Sequence, residues 1–453
     1  MGISKAIVRS PARTAIVAFA LLIFTGTILL MLPAASTEKA VGFIDALFTS
    51  TSAVCVTGLT VVDTGKTYSL FGQSIIMILI QIGGLGIMTM STLFIMLAGR
   101  RPGLAGQIVI QDAFTHSRDR HISSILKDVI LFTGVIEGTG ILIMFFIFLP
   151  ENSVQRAFFL SMFHSISAFC NAGFSIFSDS FIKYRENVVL NLIICFLIIS
   201  GGIGFLVLSE IKRKFFIKHR ALSRLSLHSK IVLSTTLILI LSGMVLILGM
   251  EWGNTLAPLS IPGRFLAAFF QSVTARTAGF NTLPIGNMAN QTLFLLILLM
   301  FIGASPGSCG GGIKTTSFAT LVVLGLSRFQ GRDRPLLFNR TISATSVGKA
   351  VSVVILSAMV ICLGVMLLLI TEIGQVSHTQ SRGQFLEILF ETVSAFGTVG
   401  LSTGVTGWLS EVGKVIISIV MFVGRLGPLV VGVAVSRDTA TRYYYAEESI
   451  MVG

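Results

Sequence analysis

The stretch Phe48–Thr60, FTSTSAVCVTGLT, decides the fold, because altered copies of it occur three more times along the chain. These copies are FHSISAFCNAGFS from Phe163, FQSVTARTAGFNT from Phe270 and FETVSAFGTVGLS from Phe390. Each copy reads Phe-x-Ser/Thr-x-Ser/Thr-Ala and then reaches a Gly that is followed by Leu or Phe. The four Gly are Gly58, Gly173, Gly279 and Gly400, separated by 115, 106 and 121 residues. This internal repeat predicts four tandem units of similar size.

The composition is that of an integral membrane protein. Of the 453 residues, 53% are hydrophobic and only 12% are charged, and several apolar runs reach the roughly 20 residues that a membrane-spanning helix needs. The five Cys include no CxxC pair, so we interpret them as small packing residues rather than a metal site or a disulfide framework. Thr14–Leu32 is too long for the apolar part of a signal peptide, so we expect the first span here, without a cleaved leader.

Each unit contains a long apolar run, a run too short to cross a bilayer, the repeated stretch and a second long run. We therefore predict an all-α integral membrane fold of eight spans and four re-entrant loops around a central pore. The predicted units are 1–99, 129–210, 231–327 and 351–436. The segments between and after them are 100–128, 211–230, 328–350 and 437–453. The predicted short helices are Val41–Val54, Val154–Phe169, Arg264–Ala275 and Gln384–Phe396. The predicted second spans are Ser74–Leu97, Val188–Leu208, Thr292–Leu326 (interrupted) and Val412–Val435.

The basic residues predict the orientation. Of the 33 Lys and Arg, 22 lie in the N-terminal tail, the three segments between units and the C-terminal tail. Cytoplasmic loops carry this excess, so both termini should be cytoplasmic and all four short helices should enter the membrane from outside. The basic loops would also contact anionic lipid.

The repeated stretches predict a cation pathway. The C-terminal ends of four inward-running short helices carry partial negative charge, and the backbone carbonyls that follow can replace a cation's hydration shell. These loops carry no carboxylate, which favours a large monovalent cation. The predicted filter residues are Val56, Thr57, Gly58, Asn171, Ala172, Gly173, Thr277, Ala278, Gly279, Thr398, Val399 and Gly400. The simpler alternative is four tight turns that serve helix packing alone.

This arrangement resembles the Trk/Ktr/HKT superfamily of potassium transporters over essentially the whole chain. TSAVCVTGLTVVDTG and SVTARTAGFNT are most similar to the membrane subunit of bacterial Ktr systems (KtrB or KtrD type), and Thr398-Val399-Gly400 resembles the start of the channel filter TVGYG. Sodium-favouring plant relatives carry Ser where this chain has Gly58. The resemblance therefore implies K⁺ held by the filter carbonyls.

The resemblance also implies a setting for the chain. Members of the family are bacterial cell-membrane proteins that form homodimers, each protomer with its own pore, on a cytosolic nucleotide-binding ring of the KtrA or KtrC type. Na⁺ dependence is expected of the family, although no sodium site can be identified in the sequence. The chain has no GxGxxG dinucleotide fold, so nucleotide control would come from such a partner and we expect no organic cofactor in this chain. Its basic residues lie in a few short loops of a membrane protein, so we expect no nucleic-acid partner.

An interruption in unit three predicts a gate. FIGASPGSCGGGIKTTS, from Phe301 to Ser317, breaks the second long run with five Gly and one Pro. Irregular backbone at membrane depth must line a cavity or be covered by protein. The resemblance implies that 303–316 is an intramembrane gate loop that Arg425 latches. The predicted gate residues are Gly310, Gly311, Gly312, Lys314 and Arg425. The alternatives are a packed kink and, for Arg425, a fixed structural contact.

Three further polar residues lie within the predicted units. Glu137 should make a structural pairing within a span. Arg276 should point away from the pore toward a carboxylate such as Glu391 or Asp45, between which the sequence does not choose. His164 occupies the place of Thr49, Gln271 and Glu391 in the other copies, which favours packing.

Two rival functions remain. A strictly coupled cation carrier would place a midplane site on broken helices, although four parallel copies disfavour alternation between two halves. An intramembrane enzyme is disfavoured, because the six His are scattered without HExxH. Gly303–Gly307 matches GxSxG but lacks the strand–turn–helix setting of that motif.

Overall fold

The structure is a computed structural model that describes residues 11–86, 122–217, 225–428 and 430. The described chain is predominantly helical, which agrees with the predicted class, and its strands form one short hairpin of Leu336–Leu337 and Arg340–Thr341. The end of the predicted span Ser74–Leu97, most of 100–128, part of 211–230 and the tail 437–453 lie outside the described residues.

The helices follow the repeated plan. Unit one has α1 (Pro11–Leu30), α2 (Phe43–Val54) and α3 (Leu70–Gly84). Unit two has α4 (Ile122–Phe148), α5 (Val154–Phe169), α6 (Val188–Ile203) and α7 (Phe205–Ile211). Unit three has α8 (Leu227–Glu251), α9 (Ile261–Thr274), α10 (Asn290–Phe301) and α11 (Thr315–Phe329). Unit four has α12 (Ala344–Leu368), α13 (Gln384–Gly397) and α14 (Glu411–Leu426).

Among the described residues, four helices are long and apolar enough to cross a membrane. They are the helices that open the units, α1, α4, α8 and α12. The pair α6–α7 would qualify as a fifth if its two parts are counted as one bent span.

The bend between α6 and α7 corrects the sequence prediction of a continuous span Val188–Leu208. The two helices meet at an angle of 100°, and the residue between them, Gly204, has φ 97°, which a side chain disfavours. A Cβ at Gly204 would lie 2.5 Å from the carbonyl oxygen of Pro306. The bend therefore brings unit two against the interrupted helix of unit three, where the Phe205 amide donates to the Gly307 carbonyl (3.0 Å).

The first hydroxyl of the repeated stretch fixes each short helix to the long helix before it. In three units this Ser donates to a carbonyl of the long helix: Ser50 to Ile23 (2.7 Å), Ser165 to Glu137 (2.8 Å) and Ser272 to Ile240 (2.8 Å). A Gly lies three residues after each acceptor, and its absent Cβ leaves room for the Ser hydroxyl at Gly26, Gly140 and Gly243. In unit four, Thr392 instead donates to Ile388 of its own helix.

The Phe that opens each copy anchors the short helix in the core. Phe48, Phe163, Phe270 and Phe390 are all fully buried. The spacing from this Phe to the filter Gly is ten residues in three copies and nine in the third, so the buried Phe sets the depth at which each loop begins to within one residue.

Candidate functional site

The first residue of each predicted filter triplet has a left-handed backbone. Its φ is 57° at Val56, 59° at Asn171, 71° at Thr277 and 50° at Thr398. Non-Gly residues adopt such conformations at a cost of about 1–3 kcal/mol, and only where the surrounding structure holds them there. Strain of one kind at four equivalent places indicates that the loops share one backbone path.

The four Gly of the predicted filter triplets, called the filter Gly below, form a closed ring in chain order. Each has positive φ, and a Cβ added to it would contact the carbonyl oxygen just before the next Gly of the ring. The distances are 2.4 Å from Gly58 to Ala172, 2.7 Å from Gly173 to Ala278, 2.3 Å from Gly279 to Val399 and 2.1 Å from Gly400 to Thr57. Four carbonyl oxygens and four Gly therefore meet around one axis, which no side chain could enter without displacing backbone.

The second hydroxyl of each repeated stretch fastens its loop. The amides of Gly58 and Gly400 donate to Ser52 (3.0 Å) and Ser394 (3.1 Å). In the other two units the hydroxyl donates to a loop carbonyl, from Ser167 to Phe174 (2.8 Å) and from Thr274 to Phe280 (2.7 Å). The second Ser or Thr of the repeat is thus explained by its hydrogen bond to the loop.

A cavity of about 340 Å³, called the outer cavity below, lies against the ring. All four filter Gly line it, and so does the polar residue two positions after each of them: Thr60, Ser175, Asn281 and Ser402. Such a cavity can admit a cation whose waters are exchanged for protein oxygens at the ring.

The rim of this cavity carries two carboxylates, Asp63 and Asp179. Asp63 caps a single helical turn and lies 3.8 Å from Lys66. Lys183, next to the rim residue Ile182, is paired with Glu151 (2.6 Å), and this hydrogen bond raises the pKa of Lys183. The two lysines nearest to these rim residues in sequence, Lys66 and Lys183, are therefore each paired with a carboxylate.

The segment that interrupts unit three, residues 302–314, lies beside two of the filter loops. Its ends pair at Ile302 and Ile313, and the Gly311 amide donates to the Thr398 hydroxyl (2.9 Å). A Cβ at Gly310 would lie 2.1 Å from the Thr277 hydroxyl oxygen. The Gly residues of this segment thus let its backbone pack directly against the residues that begin the third and fourth filter triplets.

Arg425 and Lys314 both bind backbone carbonyls around this segment. The buried Arg425 guanidinium donates to the carbonyl oxygens of Cys309 and Gly83, and Lys314 donates to Gly310 (2.8 Å). Cys309 belongs to the segment that interrupts unit three, and Gly83 belongs to α3. Arg425 therefore joins units one, three and four.

Glu137 and Arg276 have different surroundings. Glu137 is buried and accepts a hydrogen bond from the Gln81 amide (3.3 Å), so it pairs with α3 as a structural contact. Arg276 pairs with neither expected carboxylate, since Asp45 binds Lys414 (2.7 Å) and Glu391 accepts from Ser402 (2.8 Å). Within the described residues, the Arg276 Nε has no hydrogen-bond partner. The prediction that Arg276 pairs with Glu391 or Asp45 was wrong, because within the described residues no ion pair or hydrogen bond joins it to either carboxylate.

His164 is more than a packing residue. Its ring stacks on Phe177, with centroids 4.7 Å apart, and its Nε2 lies 3.1 Å from the hydroxyl of Ser175 in the outer cavity. The only sequence signal was the recurrence of polar residues at this place in all four copies.

Comparisons with known proteins agree with this architecture. The sequence profile of the TrkH family, described as a cation transport protein, matches residues 5–441. The Ktr system potassium uptake protein B of Bacillus subtilis is 40% identical, over 98% of this chain and 97% of that protein. The potassium/sodium uptake protein NtpJ of Enterococcus hirae is 37% identical, over 98% and 97%.

A solved structure shows the same fold. The potassium transporter TrkH of Vibrio parahaemolyticus superposes with a TM-score of 0.73 at 18% identity, over 94% of this chain and 85% of that one. The family match, the near-full-length relatives and the shared fold lead to one conclusion: the chain belongs to the TrkH family of cation transport proteins.

Proposed function

We propose that this chain is the ion-translocating membrane subunit of a potassium uptake system, and that K⁺ passes through the ring of four filter loops. The observation that carries the proposal is the closed ring, in which each Gly lies against the carbonyl oxygen before the next. Uncharged carbonyl dipoles suit a large monovalent cation that loses water easily. The names of the relatives from Bacillus subtilis and Enterococcus hirae support potassium.

The topology follows from the repeat. We propose eight spans and four re-entrant loops in the cell membrane, with α2, α5, α9 and α13 entering from outside and both termini in the cytoplasm. Each opening helix is long enough to span, and each short helix ends at a filter loop. The C-terminal ends of the short helices then direct partial negative charge at the ion path.

The filter residues act together in this proposal. The backbone oxygens of Val56–Gly58, Asn171–Gly173, Thr277–Gly279 and Thr398–Gly400 would hold the permeating ion. Their left-handed first residues and the hydroxyl braces fix the backbone before the ion arrives, so little reorganisation is needed on binding.

The gate is the segment under the filter. We propose that residues 303–316, with Gly310–Gly312 and Lys314, obstruct the path and that Arg425 holds them in place. The contact of Gly311 with Thr398 and the hydrogen bond from Arg425 to Cys309 support this role. Opening would require the segment to leave Arg425, and its Gly content allows the necessary backbone change.

Partners and coupling are further parts of the proposal. The name "Ktr system" of the relatives fits an assembly of several subunits, and we propose a homodimer on a cytosolic nucleotide-binding ring that controls the gate. Na⁺ dependence is proposed on the resemblance, and the name of the Enterococcus hirae protein includes sodium.

A strictly coupled carrier is the alternative. The broken helices α6–α7 and α10–α11 favour it, because carriers use such breaks to bind ions. The closed four-part ring favours conduction. Alternating access needs two halves that move against each other, and a site built equally from four units is not divided in that way.

The test is potassium uptake and growth at limiting potassium in bacteria that lack their own uptake systems, with a regulatory ring co-expressed. Gly58→Ser is compared with Gly407→Ser, because a Cβ at Gly407 meets nothing within 4 Å. We expect rescue by the wild type and by Gly407→Ser, and a lower preference for K⁺ over Na⁺ with Gly58→Ser. A membrane-inserted Gly58→Ser protein with unchanged preference would refute the filter assignment.

A further inference from the structure

Each repeated stretch carries a different polar residue directly after its opening Phe: Thr49, His164, Gln271 and Glu391. In units two and four, the structure joins this residue to the cavity hydroxyl two positions beyond the filter Gly. Both residues lie behind their filter loop and are fully buried.

In unit four the acceptor is a carboxylate. Glu391 accepts hydrogen bonds from the hydroxyls of Ser402 (2.8 Å) and Thr406. The Ser402 oxygen in turn accepts from the amide of Gly404 (3.0 Å). The proton of Ser402 therefore points inward to Glu391, and its oxygen remains at the cavity that Ser402 lines.

In unit two the acceptor is an imidazole nitrogen. The Ile176 amide points at His164 Nε2 (3.4 Å), which makes Nε2 an acceptor, and Nδ1 then donates to the Leu160 carbonyl (2.8 Å). The Ser175 hydroxyl, 3.1 Å from Nε2, must therefore donate to it. The Ser175 oxygen accepts from the Phe177 amide (3.0 Å), as Ser402 does from Gly404.

Two chemically different residues thus produce one arrangement. Each takes the hydroxyl proton of a Ser, and the amide two residues later donates to the same oxygen. The Thr406 hydroxyl also lies 3.0 Å from the Ser402 oxygen, but its single proton goes to the nearer oxygen of Glu391, so one lone pair of each Ser oxygen stays free. Units two and four are opposite each other in a ring that runs one–two–three–four, so Ser175 and Ser402 face the cavity from opposite sides.

Unit three lacks this arrangement. Gln271 is fully buried, and neither of its amide atoms has a hydrogen-bond partner in the described part of the chain. Its cavity residue, Asn281, instead donates to the carbonyl of Leu283 (3.0 Å). The same position in the same type of helix therefore offers an internal control.

We propose that Glu391 and His164 are positioning residues for an outer cation site. By accepting the protons of Ser402 and Ser175, they present two opposed hydroxyl oxygens to a partly hydrated monovalent cation just outside the Gly ring. The inference rests on the proposed function and deepens it, because these oxygens would replace water before the ion reaches the carbonyls and so contribute to the choice of K⁺ over Na⁺.

The experiment measures the KM for K⁺ and for Na⁺ in proteoliposomes that contain the chain with its regulatory ring. Glu391→Met and Gln271→Met remove a polar group and keep similar side-chain length. We expect Glu391→Met to raise the KM for K⁺ on the order of tenfold, the loss of about one hydrogen bond to a charged group, with a smaller change for Na⁺. Gln271→Met should leave the ratio of the two KM values unchanged.

Further variants separate the positioning of the Ser hydroxyls from a general loss of structure. Glu391→Gln keeps one acceptor oxygen and should restore part of the K⁺ preference. Ser402→Ala removes the cavity hydroxyl and leaves Glu391 in place, so it should raise the KM for K⁺ by a similar factor. It provides the same test if Glu391→Met does not fold. His164→Phe keeps a ring on Phe177 and should have a similar effect to Ser175→Ala. If Ser402→Ala and Ser175→Ala leave the KM ratio at the wild-type value, the outer site does not exist.

The Gly58→Ser variant separates a failure of the outer cation site from a failure of the proposed filter. If Gly58→Ser changes the K⁺ preference and the two Ser→Ala variants do not, the filter stands and the positioning inference is wrong. If Gly58→Ser also has no effect, the proposed function itself fails.

Discussion

The guanidinium of Arg425 donates a hydrogen bond to the carbonyl oxygen of Cys309, 116 residues earlier in the chain. This contact ties the last described helix, α14, to the segment that interrupts unit three. Both residues are buried, so the bond is shielded from water and a buried carbonyl would be left unpaired without it.

Arg425→Gln should therefore release the segment. The variant loses the charge and the fork that reaches both Cys309 and Gly83. A hydrogen bond to a charged group contributes about 1.5–3 kcal/mol, so the closed arrangement should be disfavoured by a factor of at least about ten. We expect faster K⁺ uptake in the absence of the regulatory ring, measured as Rb⁺ flux into proteoliposomes. Lys414→Gln in the same helix is the control, and equal flux in the two variants would contradict a latch.

The closed ring predicts that substitution of any of its four Gly has the same type of effect on ion preference. Gly173→Ser, Gly279→Ser and Gly400→Ser should each weaken the preference for K⁺ over Na⁺, because each new Cβ would lie within 2.7 Å of the next loop's carbonyl oxygen. Competition of Na⁺ with Rb⁺ uptake provides the measurement. Full preference in any one of these variants would show that its loop lies outside the ion path.

The hydroxyl contacts of the opening helices predict a contrast within α4. Gly140→Ala would place a Cβ 2.4 Å from the Ser165 oxygen, whereas a Cβ at Gly138 meets nothing within 4 Å. Overpacking of this kind costs about 1–3 kcal/mol, so Gly140→Ala should lower the thermal unfolding temperature in detergent. Gly138→Ala should leave it unchanged or raise it, since Ala is the better helix former. The reverse order would show that Ser165 does not fix the short helix.

The ion pair of Asp45 and Lys414 joins the first and last units. Its atoms lie 2.7 Å apart, and the side chains are 31% and 16% exposed. For a pair with this exposure we expect a coupling free energy of about 0.5–1 kcal/mol, measured by a double-mutant cycle of Asp45→Asn and Lys414→Met in thermal unfolding. Coupling near zero would mean that the units are held together by packing alone.

Much of the architecture could be predicted from the sequence because four copies of one pattern reinforce one another. The short helix α5 begins and ends where the pattern predicts, at Val154 and Phe169, and unit three divides into α10 and α11 around its Gly-rich segment. Periodicity and Gly content are local signals, and these features depend mainly on them.

Features that depend on contacts between units could not be predicted. The sequence Gly201-Gly202-Ile203-Gly204 contains a signal for the bend after α6, but apolar residues on both sides favoured a continuous span. Arg276 was assigned a partner by charge alone, and charge does not reveal that Lys414 already binds Asp45. The role of His164 depends on a Ser eleven residues later that folds back against it.

The ring closes between Gly400 and Thr57, which has a consequence for biosynthesis. The first loop, with Thr57 and Gly58, is synthesised three units earlier than Gly400, the residue that completes the ring. In the proposed filter, a nascent or truncated chain of three units would leave the ring open on one side until the fourth loop is inserted. We therefore expect that such a chain does not select between cations, and that selectivity first arises when the last quarter of the chain is inserted.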